Sequence, residues 1–374
     1  MTLPVPSASP ASPASPASPA SPASPESGAS APGHGRVTLA RSRDELAAAL
    51  AIDDRADRAD RADRANGVPR AVVMTMGALH QGHLDLVAEA ARRVGPEGTI
   101  VVTIFVNPLQ FAAGEDLETY PRTLEADVEG LTAVLRAPVG GALAVGRLIV
   151  FAPAPEVMYP YGEPAVRIDP GPIATVLEGA TRPTHFAGVA QVVLTLMHLT
   201  RPRWALFGRK DAQQLAIVRA MVRDLAVPVE IVPVEIRREA DGLAMSSRNA
   251  YLSAQERERA LALSRALDAG REAARAGEDA AGIRAAALGV LAAAPGVEVD
   301  YAAVVDPDSF VDLAGAGLGL PAAGLGLSAS GEARGTAGTA RHAGTARPAG
   351  PVLLALAARV GTTRLIDNAQ IDLR

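Results

Sequence analysis

Two histidines three residues apart, His80 and His83, close the string Met74-Thr75-Met76-Gly77-Ala78-Leu79-His80-Gln81-Gly82-His83. The apolar run before them reads as a strand, Gly77 as a turn and the residues after it as the start of a helix. A helix N-terminus presents unpaired N–H groups and the positive end of a dipole, so it favours an anion, and imidazoles placed there add donors for phosphate oxygens. Metal ligation by the two histidines is the competing chemistry, but no carboxylate nearby in the sequence completes such a site. A second feature is Lys210, the only lysine among 36 Lys+Arg residues, inside Phe207-Gly208-Arg209-Lys210-Asp211-Ala212-Gln213-Gln214. Arginine replaces lysine readily on a surface, but its planar fork is a poor substitute for a compact ammonium in a tight phosphate site. Composition alone leaves chance survival of this lysine equally open.

Positioning these groups requires a scaffold, and the hydrophobic pattern describes one. Residues 71–76, 99–106, 147–151, 204–207 and 229–234 read as short buried strands, with helices at 82–93, 123–136, 185–199 and 213–225. Strands separated by helices predict an α/β fold, a Rossmann-like parallel sheet with helices on both faces. Ligands of such sheets bind outside the carboxyl ends of the strands. The polar clusters fall there: His80 to His83, Asn107 to Gln110, and Gly208 to Gln214. This domain is expected to span 36–236, opening with a short apolar stretch and an amphipathic helix at 36–50. A smaller α+β C-terminal domain, a lid over 237–374, is expected from helices at 254–276 and 280–293 and strands at 298–305, 352–359 and 363–367.

The remaining segments read as connections. Residues 1–35 are dominated by Ser-Pro-Ala repeats, which supply neither backbone donors nor core side chains and predict a disordered tail. Four Asp-Arg-Ala repeats at 54–65 put Asp54/Arg58, Asp57/Arg61 and Asp60/Arg64 at i,i+4, a solvated helix closed by Asn66-Gly67. Residues 137–146 read as a Gly/Ala-rich loop and 314–350 as a flexible insertion, with His342 an incidental loop residue and His198 an ordinary helix residue. The formal charge of −5 gives no general attraction for nucleic acid or an anionic membrane. Absence of cysteine excludes disulfides and thiolate chemistry, and no apolar run approaches the roughly 18–20 residues of a membrane helix. The expectation is a soluble cytoplasmic protein.

Further strings accompany the histidine motif: Ile104-Phe105-Val106-Asn107-Pro108-Leu109-Gln110-Phe111, Tyr120-Pro121-Arg122-Thr123, Leu177-Glu178-Gly179, Arg182-Pro183-Thr184-His185-Phe186, Asp241-Gly242-Leu243-Ala244-Met245-Ser246-Ser247-Arg248-Asn249 and Arg364-Leu365-Ile366-Asp367-Asn368. In this order they resemble the pantoate–β-alanine ligase (pantothenate synthetase) family of the HIGH-type nucleotidyltransferases, from about Val37 to the C-terminus.

The resemblance implies that ATP and pantoate give pantoyl adenylate and pyrophosphate, after which β-alanine displaces AMP. It implies that His80, His83, Lys210, Ser246, Ser247 and Arg248 surround the triphosphate, with Lys210 on the α-phosphate. It assigns His83 as proton donor, although phosphate stabilisation is the weightier role. Met76, Gly77, Ala78, Leu79, Gln81, Gly82, Gly208, Arg209, Asp211, Arg237 and Met245 complete the implied nucleotide pocket, Asp211 through the ribose and Arg237 through its backbone to adenine. Gln110 and Gln214 would bind pantoate, with Gln110 also near β-alanine. Asn107, Tyr120, Arg182 and His185 are implied walls; for Arg182 and His185 a structural loop or subunit contact is equally open. Magnesium would sit chiefly on phosphate oxygens, with Asp127 a candidate ligand, and a homodimer through the N-terminal domain is expected. Three departures stand out: Met74 where the family has proline, Arg209 where it has glutamate, and Arg237 where it has an apolar residue. Another HIGH-type enzyme, such as an aminoacyl-tRNA synthetase, is the nearest alternative. A catalytically silent binding or regulatory relative is the other. The first normally carries a lysine-rich late loop, here Met245-Ser246-Ser247-Arg248, and the retained His80, His83, Lys210 and Gln214 count against the second.

Overall fold

A computed structural model describes residues 36–59, 68–112, 114–115, 117–136, 145–315 and 350–373. The expected disordered tail, the second half of the Asp-Arg-Ala helix, most of the loops at 137–146 and 314–350, and His342 lie outside these residues.

The chain forms β1 (Arg36–Ala40), α1 (Arg43–Ala59), β2 (Arg70–Thr75), α2 (Gln81–Val94), β3 (Thr99–Ile104), α3 (Leu124–Arg136), β4 (Arg147–Phe151), α4 (Pro155–Met158), α5 (Glu178–Thr181), α6 (His185–Thr200), β5 (Trp204–Gly208), α7 (Ala212–Asp224) and β6 (Glu230–Val234). It continues through α8 (Ala254–Arg275), α9 (Ala280–Ala292), β7 (Val297–Val305), β8 (Pro351–Val360) and β9 (Thr363–Asp372). The first six strands make one parallel sheet in the order β1-β4-β3-β2-β5-β6. The apolar stretch at its start is therefore an edge strand, paired with β4. From β2 the chain winds to β3 and β4 on one side, and β5 and β6 lie on the other, so the winding reverses between β2 and β5. Crevices at such a reversal are where ligands bind in this architecture.

Near-continuous apolar strands are what a sheet covered on both faces demands. Val72, Val101, Ile149 and Ala205 pack under α1, α6 and α7 on one face. Their neighbours Val73, Val102, Val150 and Leu206 pack under α2 on the other, where Leu86, Val87, Ala90, Ala91 and Val94 form its buried stripe. Each fully buried Val or Leu contributes about 1.5–3 kcal/mol.

Strands β7-β8-β9 form a separate antiparallel sheet. Along β8, Val352, Leu354, Leu356 and Ala358 face α8 and α9, while Leu353, Ala355 and Ala357 pack with Tyr301, Phe310 and, from the first part of the chain, Leu177 and Ala216. Strand β9 runs five residues beyond the expected 367, because it stays paired with β8 to Asp372.

Candidate active site

The turn after β2 carries two left-handed residues, Gly77 (φ 89°) and Ala78 (φ 51°). A Cβ on Gly77 would lie 3.1 Å from an Asp127 carboxylate oxygen and 3.2 Å from Ile104, so the sequence needs glycine there. Asp127, buried on α3, accepts from the Ala78 amide at 3.1 Å, the Leu79 amide at 2.8 Å and the Thr123 hydroxyl at 3.2 Å. The magnesium ligand expected at Asp127 is thus engaged as the anchor of this turn, and it does not line the cleft.

His80 is the N-cap of α2, and the two imidazoles form a reciprocal capping box. His80 Nδ1 accepts from the Gly82 amide at 3.2 Å, and His83 Nδ1 accepts from the His80 amide at 3.3 Å. With both Nδ1 atoms accepting, the neutral rings carry their protons on Nε2. The rings stack with centroids 4.1 Å apart, and Gly82 is small because any Cβ would meet the His80 ring at 3.0 Å. Burial lowers the His80 pKa, helped by the Lys210 charge; burial and the neighbouring His80 lower that of His83 to about 3. Both are neutral donors at pH 7, at the positive end of a helix.

Lys210 lies in a 3-10 turn at the end of β5, half-buried, with its ammonium 3.9 Å from Asp211. Asn368 of β9 donates to the carbonyls of Arg209 (3.0 Å) and Lys210 (2.8 Å), fixing the loop from behind. On α7, Gln213 is buried and bound to the Glu178 amide and the carbonyls of Ile173 and Val176, whereas Gln214 faces the cleft. Gln110 ends a 3-10 turn after β3 and is also buried; its side chain meets Met76 Sδ at 2.9 Å and Asn107 at 3.2 Å. His185 Nδ1 lies 3.0 Å from the Gln110 carbonyl, to which Arg182 also donates at 3.3 Å while forked on Glu115. Burial, then the Arg182 charge, lowers the His185 pKa to about 4.

The cleft brings together Met76, His80, Gly82, His83, Gln110, Tyr120, Arg182, His185, Gly208, Lys210, Asp211, Gln214, Arg237, Met245, Ser246, Ser247 and Arg248. A contiguous space of about 540 Å³ lies between this face and the antiparallel sheet. Five expected nucleotide contacts do not line the cleft: Gly77, Ala78 and Leu79 form the anchored turn, Gln81 donates to Asp85, and Arg209 turns away to Glu235 and Gln370. Asn107 lies beneath Gln110, bonded to Gly188, Leu109 and Tyr159. Arg237 is forked on Asp85 at 2.6 and 2.8 Å, and its carbonyl accepts from the Met245 amide.

Sequence reasoning assigned no role to the charged group beside the cleft. Arg364 donates two bonds to Glu178 (both 2.7 Å) and one to Asp300 (2.6 Å), and the Tyr301 hydroxyl donates to Glu178 at 2.8 Å. Burial pushes the Glu178 carboxyl up, but the bonds and charge of Arg364 outweigh it and hold the pKa below the ordinary glutamate value. Glu178 and Arg364 stand in two of the strings quoted above; only the fold reveals that they meet.

A doubly wound α/β sheet with a capped helix N-terminus, a lone lysine and two amides at its winding reversal is the architecture of the α/β folds that hold ligands at a strand crevice. The sequence profile of the Pantoate-beta-alanine ligase family matches residues 51–370. A relative from Nocardioides, named Pantothenate synthetase, is 46% identical over 90% of this chain and 85% of its own. One from Streptomyces coelicolor, of the same name, is 59% identical over 54% of this chain. The chain spans 56% of the length of that relative and 58% of one from Streptomyces avermitilis. Among solved structures, Pantothenate Synthetase from Thermus thermophilus superposes with a TM-score of 0.70 at 38% identity, covering 90% of this chain and 99% of that one. A Pantoate-beta-alanine Ligase from Francisella tularensis, complexed with Beta-gamma ATP and Beta-alanine, gives 0.60 at 25% identity, covering 89% and 97%. The chain belongs to the pantoate–β-alanine ligase family.

Proposed function

We propose that this protein condenses pantoate with β-alanine at the expense of ATP, through a pantoyl adenylate, releasing pyrophosphate and AMP. The observation that carries this reading is the meeting, at one winding reversal, of the His80–His83 helix start, Lys210, Gln110 and Gln214. In the first step a pantoate carboxylate oxygen bonds to the α-phosphorus, and the bond to the bridging oxygen breaks, its electron pair leaving with pyrophosphate. Negative charge gathers on the phosphates, where the Nε2–H groups of His80 and His83 and the Lys210 ammonium stand as preorganised donors. The His83 environment favours a neutral donor over a proton shuttle, since its pKa near 3 keeps a protonated ring scarce. Gln110 and Gln214 supply uncharged amides that hold pantoate without neutralising its nucleophilic carboxylate. In the second step the β-alanine nitrogen attacks the acyl carbon, the C–O bond to AMP breaks, and the amine proton passes to solvent.

Ser246, Ser247, Arg248 and Met245 close the nucleotide side, with Asp211 at the ribose. Among the described residues no cluster of three or more His, Asp or Glu could cage a metal, and the Asp127 oxygens are engaged. Magnesium, in this proposal, is held chiefly by the phosphate oxygens of ATP. No helix among the described residues is long and apolar enough to cross a membrane; a cytoplasmic location is part of the proposal. A homodimer, also proposed, would be read by sedimentation.

Pantoate-dependent exchange of labelled pyrophosphate into ATP tests the adenylate. Exchange that runs without pantoate, or folded protein that catalyses none, refutes it.

A further inference from the structure

Helix α7 has two working faces. Gln214 looks into the catalytic cleft, while the stripe Ala212, Leu215, Ala216 and Arg219, spaced i, i+3, i+4 and i+7, borders a second cavity of about 530 Å³ behind it. The walls are partly apolar, with Leu215, Ala216, Ile236 and Leu353, and four arginines line it, Arg209, Arg219, Arg238 and Arg271. Only two carboxylates, Glu235 and Asp308, line it with them.

The four arginines are not equally committed. Arg238 is forked on the buried Asp367 at 2.7 and 2.9 Å and stays there. Arg209 pairs with Glu235 at 2.8 Å and Arg271 with Asp268 at 2.6 Å, but those carboxylates are 86% and 67% exposed. Such surface pairs contribute little, because water screens them, and exchange readily for a better partner. Arg219 has no ion pair or hydrogen-bonding side-chain partner among the described residues. Three exchangeable guanidinium forks thus surround one cavity, an arrangement suited to the several acceptor oxygens of a phosphate. The apolar wall asks for more than a bare ion.

We propose that this cavity binds a small phosphorylated organic molecule, its phosphate on Arg209, Arg219 and Arg271 and its apolar body against Leu215, Ile236 and Leu353. The site is distinct from the catalytic cleft but shares its rear wall: Arg209 precedes Lys210, and Asn368, which lines both spaces, holds the carbonyls of the two residues. A ligand there would act on the segment that carries the sole lysine.

Phenyl phosphate, a single phosphate on an apolar ring, is a suitable probe. It is titrated calorimetrically into the full-length protein, with and without saturating β,γ-methylene-ATP in the catalytic cleft. Saturable binding is expected in both arms, weaker for inorganic phosphate and for phenol, and reduced about ten-fold or more by Arg219→Glu. Arg271→Glu is an independent second variant on another helix, and both should keep the parent's melting temperature and basal turnover. The proposal is overturned if no binding saturates below about 10 mM, if both variants bind as the parent does, or if the ATP analogue displaces the probe. The arm without nucleotide does not depend on the proposed ligase activity, so failure of that activity would be seen separately.

Discussion

Replacing Asp127 by asparagine tests whether this carboxylate holds the turn after β2 or a metal. Its oxygens accept from the amides of Ala78 at 3.1 Å and Leu79 at 2.8 Å, on a residue only 4% exposed. In the asparagine variant one oxygen becomes an NH₂ group, which confronts one of those N–H donors, and the other bond loses its charge. Hydrogen bonds to a charged group are worth about 1.5–3 kcal/mol, and a buried donor left unpaired costs about 1–3 kcal/mol. Allowing for the neutral bond that survives, Asp127→Asn should cost roughly 2–4 kcal/mol, within the 5–15 kcal/mol that a folded domain typically has. His80 follows Ala78 by two residues, so displacement of the turn should also slow pyrophosphate exchange by about ten- to a hundred-fold, equivalent to about 1.4–2.7 kcal/mol of barrier. Urea unfolding in metal-free buffer reads the first quantity and exchange kinetics the second. A metal ligand would behave in the opposite way, leaving the urea midpoint alone and shifting the magnesium dependence. An Asp127→Asn protein with parental stability and a raised magnesium requirement would refute the anchor.

Three other outcomes are expected. Lys210→Ala, and also Lys210→Arg because the fork does not fit, should lower exchange by two orders of magnitude or more while changing the urea midpoint little; parental turnover in either would remove Lys210 from the phosphate. Glu178→Gln should cost about 3–5 kcal/mol by leaving Arg364 under-compensated, and in a cycle with Arg364→Met the double variant should cost less than the sum; strict additivity would show that the pair does not couple. The folded-state pKa values of His80, His83 and His185 lie below the ordinary histidine value, so the unfolded chain takes up protons first as the pH falls. Their contribution to stability is therefore complete above about pH 6.5 and is lost as the pH falls, down to about pH 4 for His185 and about pH 3 for His83, at up to about 1.4 kcal/mol per pH unit for each of these two rings. Urea midpoints at pH 7.5, 6 and 5 measure this, and a flat profile would contradict it.

Much of this protein could be read along the chain. Apolar runs of strand length between amphipathic helices determined the parallel sheet, because a strand covered on both faces has no polar side to display. The His80-Gln81-Gly82-His83 spacing determined the capped helix start, since those contacts are local, and composition alone singled out Lys210. What lay beyond the sequence was decided by contacts distant along it. Gln213 and Gln214 are adjacent and chemically identical, yet the packing of α7 against 173–178 engages one and leaves the other to the cleft. Asp127 looked like an acidic helix residue that could bind a metal until α3 brought it, 49 positions away, to the Ala78 amide. Arg209 and Lys210 share a turn but face opposite cavities, and Glu178 meets Arg364 across 186 residues. Local periodicity specifies which face of an element is buried; which polar groups that burial brings together depends on how the elements stack, and that information is in no single segment.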